Sequence, residues 1–141
     1  MIDSDIFFAK TGVIKKCLSR IRESTRLKPE SLDELDAQDI FVLNLQRAVQ
    51  AAIDLAAHVV SSEGLGMPRD LKENFSLLKE TGIISNELGG KLEKMVGFRN
   101  IAVHDYQVLS SQILKSILAD DLKDLEDFYA ALGRHFKMIE M

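Results

Sequence analysis

Between Met95 and Tyr106 the chain reads Met-Val-Gly-Phe-Arg-Asn-Ile-Ala-Val-His-Asp-Tyr, and its last eight residues hold Arg99, Asn100, His104 and Tyr106. Arginine is a permanent cation whose planar fork of donors suits phosphate. Histidine is the side chain whose ordinary pKa lies nearest neutrality, so it can take or give a proton. Together they could clamp a phosphate and move one proton. On a helix, Asn100 and His104 are four residues apart and can share one partner or ligand. Arg99 lies about 100° round from Asn100, but its long arm can bend to the same place. Tyr106 follows Arg99 by seven residues and so shares its side of an unbroken helix.

The element that must position these groups is a helix predicted from about Asn86 to Tyr106, with Ser85 as its cap. Leu88, Leu92, Met95, Arg99, Ala102 and Tyr106 recur along it at alternating spacings of four and three, which is a packing seam. Arg99 therefore continues an apolar stripe, where an unpaired charge is costly. Either the stripe leaves the core before Arg99, or Arg99 meets an anion or a polar partner. A second stripe carries Gly90, Gly97 and His104 at intervals of seven. Glycine costs a helix roughly 1 kcal/mol relative to alanine, so two on one face suit the close approach of another backbone or a ligand.

The remaining punctuation is sparse, with two prolines, Pro29 and Pro68, both in loop-like contexts. A first helix is expected from Asp3 or Ser4 to about Thr25, with Ile6, Val13, Ile14, Cys17, Leu18 and Ile21 at helical spacing. Pro29 ends it, and Ser31 to Asp36 reads as a polar connector. A second helix is expected from about Ala37 to Ser62, with a wide apolar face. Beside that face runs a polar stripe, Arg47, Gln50, Asp54 and His58, at spacings of three, four and four. It either lines a groove, with Arg47, Asp54 and His58 facing the Arg99 helix and contacting a nucleic-acid ligand, or is a solvated face with an Asp54–His58 pair. A short helix from about Asp70 to Thr81 stops at Gly82. A last helix should run from about Gln112, capped by Ser110 or Ser111, to near the C-terminus. Strand-like alternation is nearly absent. The expected architecture is an all-α, antiparallel up-and-down bundle of four long helices and one short one, in a single domain over residues 1–141.

The chain has 141 residues, enough for a core, and its 46% hydrophobic and 28% charged content belongs to a globular protein. One cysteine, Cys17, excludes an internal disulfide framework and suits a reducing compartment. No signal-like segment opens the chain and no apolar run approaches a membrane span, so a cytoplasmic location without membrane contact is expected. The net charge of −4 argues mildly against nonspecific nucleic-acid binding. Residues 10–28 nevertheless hold Lys10, Lys15, Lys16, Arg20, Arg22, Arg26 and Lys28 against Glu23 alone. That strip is either a phosphate-binding surface or a solvated helix face. No Cys, His and carboxylate cluster at ligand spacing asks for a metal, and no Gly-rich phosphate loop or serine-nucleophile motif is present. No cofactor is expected.

Arg99, four residues, His104, one residue, Tyr106, with the polar Asn100 after the arginine, resembles the motif of the HEPN superfamily, and within it the HepT-like toxins. The resemblance extends over the second helix, over Gly64-Leu65-Gly66-Met67-Pro68, and from Met95 to Tyr106. It implies a dimeric, metal-independent endoribonuclease of a toxin–antitoxin pair, with its cleft at the dimer interface. It makes Arg99 and His104 catalytic and Asn100 the assisting polar residue. Tyr106 matches the position that a cognate minimal nucleotidyltransferase antitoxin (MntA-like) modifies with AMP to silence the enzyme. Cleavage of RNA by its own 2′-hydroxyl needs a base, an acid and positive charge at the phosphorane. One helix holds half of that, and a two-fold dimer would double each group. Other relatives are companions of nucleotidyltransferases, so a non-catalytic nucleotide- or substrate-binding subunit is the alternative.

Overall fold

Asp3 starts the first helix as the sequence requires, its Oδ1 accepting the backbone N–H groups of Asp5 and Ile6 at 2.8 and 3.3 Å. The computed structural model describes residues 2–104 and 109–138. Helix α1 spans Ser4–Thr25 and closes on Arg26 in the left-handed region. The expected polar connector is instead a turn of 3₁₀ helix, Pro29–Asp33, that buries Leu32. Helix α2 follows directly, Leu35–Ser62. Helix α3, Leu71–Glu80, is capped by Asp70, whose side chain accepts from the Glu73 N–H at 2.9 Å. Helix α4 is Asn86–His104.

The last expected helix is two, α5 (Ser111–Asp120, capped by Ser110) and α6 (Leu122–His135). Asp121 divides them. Its N–H closes α5 on the Ile117 carbonyl, and its own carbonyl accepts the Asp124 N–H at 3.1 Å. The two pieces have different partners, which an unbroken rod could not serve. Helix α5 lies against the 3₁₀ turn, with Lys115 donating to Asp33 at 2.6 Å, whereas α6 packs on α1, α2 and α4. Among the described residues the architecture is all-helical and antiparallel, as expected from the periodicity.

Helix α2 is the centre of the packing. Its apolar residues from Phe41 to Val60 meet Phe7, Ile14, Leu18 and Ile21 of α1 and the inner faces of α3, α4 and α6. By length and apolarity alone α2 could cross a membrane, but 61% of its most apolar stretch is buried inside this bundle. Phe75 of α3 and Phe128 of α6 close the core edge to face, with ring centroids 5.4 Å apart.

The basic strip on α1 turns out to be largely partnered. Lys10 pairs with Asp54, Arg20 with Glu23 and Arg22 with Glu126, and Lys15 sits 5.3 Å above the Tyr129 ring. The solvated-face alternative therefore describes it better than a phosphate surface does. Glu126 of α6 supplies one of these partners, so an ion pair joins α1 to α6.

Candidate active site

Helix α4 carries the site because Ser85 begins it and one apolar face pins it. The Ser85 hydroxyl accepts the Leu88 N–H at 3.1 Å. Leu92, Met95, Val96, Phe98 and Ala102 are buried in the core. The seam expected from the sequence holds through Met95. Beyond it Val96 and Phe98 widen the buried face, and Arg99 is left half-buried at its edge.

Arg99 resolves the conflict of a cation in an apolar stripe by turning sideways. Its Nη1 donates to Oδ1 of Asn100 at 3.1 Å. Its Nε is buried without a hydrogen-bond partner, and among the described residues no carboxylate pairs with it. A buried guanidinium donor left open costs about 1–3 kcal/mol, and the half-buried cation as a whole suits a phosphate or carboxylate oxygen. The side chain thus bends toward the face shared by Asn100 and His104. His104 is exposed in the last turn of α4. On this helix Arg99 and His104 are about 140° apart by backbone position, so the bend of Arg99 is what draws the pair toward one side. Tyr106 lies outside the described residues.

The expectation that Arg47, Asp54 and His58 face α4 is corrected within the chain. The stripe runs along the side of α2 that meets α1. Asp54 accepts from Lys10 Nζ at 3.0 Å and from Gln50 Nε2 at 2.9 Å. His58 Nε2 accepts the Asp3 N–H at 2.9 Å, so it ties down the start of α1. Arg47 is exposed, and its charge acts on Cys17 of α1, whose thiol burial holds above the ordinary range. Spacing put these residues on one face of α2, and that face runs beside α1, with Arg47 exposed and Asp54 and His58 half-buried.

Lys72 and Asn74 of α3 are the additions that sequence reasoning missed. With Arg69, Val96 and Asn100 they line a cavity of about 550 Å³ between the start of α3 and α4. The Lys72 ammonium lies over Gly97, 3.7 Å from where a Cβ on residue 97 would stand. Gly97 had signalled a close approach, but not by which residue. Gly90 faces open space within the chain. Among the described residues no three His, Cys, Asp or Glu side chains gather as a metal site.

Known proteins resemble this chain over nearly its whole length. The family model described as ribonuclease HepT-like matches residues 14–132. The mRNA nuclease HepT of Shewanella oneidensis is 38% identical over 89% of this chain and 94% of its own length. A solved structure of the tri-AMPylated Shewanella oneidensis HEPN toxin in complex with MNT antitoxin superposes with a TM-score of 0.87 at 37% identity, covering 92% of this chain and 98% of that one. A toxin–antitoxin structure with AMP-PNP gives 0.86 at 36% identity over the same shares. The cytosolic protein YutE of Bacillus subtilis, at 13% identity and a TM-score of 0.83 over 97% of this chain and 92% of that one, shares the fold.

Proposed function

The chain belongs to the ribonuclease HepT-like family of HEPN proteins, and from that membership we propose that it is the toxin of a toxin–antitoxin pair, an endoribonuclease that cleaves cytoplasmic RNA without a metal. The observation that carries the site assignment is the state of Arg99. It is half-buried and bent onto Asn100, with no carboxylate partner among the described residues. Such a cation is built to receive an anion, and it stands at the arginine of the family's Arg-x4-His-x-Tyr pattern.

In the proposed reaction Arg99 holds a non-bridging oxygen of the scissile phosphate, and Asn100 fixes the guanidinium. One His104 takes the proton of the 2′-hydroxyl, whose oxygen attacks the phosphorus. A second His104, from a two-fold partner, protonates the departing 5′-oxygen. The products are a 2′,3′-cyclic phosphate and a 5′-hydroxyl. Two histidines and two arginines in one cleft follow from an isologous contact between α4 helices, because such a contact uses the same patch twice.

Control is assigned to Tyr106. A minimal nucleotidyltransferase would join the tyrosine oxygen to the α-phosphate of ATP, releasing pyrophosphate. The attached AMP would bring a phosphodiester charge to Arg99 and a nucleoside into the cleft, and both compete with RNA. The Shewanella toxin carries three such groups in its antitoxin complex, which supports this reading. A companion subunit that binds nucleotides without turnover would use the same cation, and it differs in leaving RNA intact. Expression in a bacterial host tests the pair. Growth should arrest, and Arg99→Ala or co-expression of the partner nucleotidyltransferase should restore it. Arrest that persists with Arg99→Ala overturns the assignment.

A further inference from the structure

The cavity between the N-terminus of α3 and the flank of α4 is not used by the reaction just described. It meets the proposed site through one shared residue, Asn100, which lines the cavity and also accepts from Arg99. On its opposite wall Lys72 makes no ion pair among the described residues, although Arg69 beside it is held by Glu73. The Lys72 ammonium rests over Gly97, one turn before Asn100 and about 4.5 Å along the helix axis. A cation thus stands at ordinary contact distance from the α4 backbone beside the cavity. Asn74, 3% exposed on the same wall, carries a buried side-chain oxygen with no hydrogen-bond partner. Val96 and Leu71 supply apolar lining. The volume lies within the range of about 300–1,000 Å³ usual for small-ligand sites.

We propose that this cavity is a nucleotide subsite beside the scissile phosphate, in which Lys72 binds the neighbouring phosphate of single-stranded RNA. The proposal rests on the RNase reading and adds to it a second phosphate contact, supplied by α3. Lys72 is a binding residue here, since it touches substrate away from the reacting atoms.

The test separates the two claims by measuring binding without turnover. The probe is a fluorescently labelled, uncleavable 2′-O-methyl RNA oligomer, titrated with the intact protein at several salt concentrations. Lys72 is exposed, so Lys72→Ala leaves the fold in place. It should weaken binding about three- to tenfold at 0.1 M salt and lower the slope of log K against log salt by about 0.7, the share of one single-strand phosphate. Lys72→Arg should restore both. In parallel, cleavage of a dinucleotide that lacks the neighbouring phosphate should be unchanged by Lys72→Ala. Unaltered affinity and slope would overturn the subsite, as would an equal loss on the dinucleotide, which would move Lys72 to the reacting phosphate. Failure of the RNase reading shows elsewhere, as wild-type protein that binds the oligomer and cuts no RNA.

Discussion

Arg99 and Asn100 form a pair whose order along the helix matters. Asn100 points with His104, and Arg99, one residue earlier, must fold its arm across to join them, which the 3.1 Å bond from Nη1 achieves. A lysine at 99 would keep the charge and lose the fork that holds Asn100 and, in the proposed reaction, a phosphate. Tyr106 gives the sharpest prediction at this scale. Its hydroxyl moves no proton in the proposed reaction, so Tyr106→Phe should retain RNase activity. It should also gain no mass when incubated with the partner nucleotidyltransferase and ATP. Intact-mass measurement decides: AMP units on wild type and none on the variant support the switch, and equal gain on both removes it. Motif residues were legible in the sequence because their types announce their chemistry. Lys72 was not, because a lysine on a short amphipathic helix looks like any solvated cation until Gly97 is seen beneath it.

Helix α4 meets α6 through Lys91, which stands 3.3 Å from Glu87 and 3.9 Å from Asp124. Asp124 is 2% exposed. Burial holds its carboxyl above the ordinary range, against the pull of Lys91 and with the help of Asp121 and Asp127. The folded chain therefore binds this proton more tightly than the unfolded chain does. The penalty for the buried charge is present in full above the folded pKa, and it fades as pH falls toward the ordinary value of about 3.9. Asp124→Asn should raise the urea midpoint at pH 7, and that gain should shrink as pH is lowered toward 4. A constant difference across that interval would contradict the assignment. Helix starts and stops were readable from Asp3, Asp70, Ser85 and Ser110, since a cap is a local device. The break at Asp121 was not, because the apolar spacing continues through it and only the different partners of α5 and α6 require it. The stripe on α2 was readable as a face, and its neighbour was not, since periodicity says which residues share a side and nothing of what covers them.

The whole molecule, on this account, is one half of an enzyme. Gly90 opens on empty space within the chain, and Ile101 and Val103 beside the site are large apolar residues left partly exposed. Light scattering at micromolar concentration should give twice the chain's 15.8 kDa. Gly90→Ala should strengthen the isolated helix by roughly 1 kcal/mol and weaken the dimer if a partner backbone approaches there. A monomeric mass for the wild type would remove the shared cleft and the second histidine with it. The ends of the RNA products distinguish 2′-hydroxyl attack from metal-dependent hydrolysis. Purified protein is incubated with RNA in excess EDTA, beside Arg99→Ala and His104→Ala, with helical content checked by circular dichroism. EDTA should leave cleavage unchanged, the fragments should end in 2′,3′-cyclic phosphate and 5′-hydroxyl, and His104→Ala should lose about 10²–10⁴ in rate. Cleavage that stops in EDTA and leaves 5′-phosphates, or that survives either substitution, would contradict the proposed reaction.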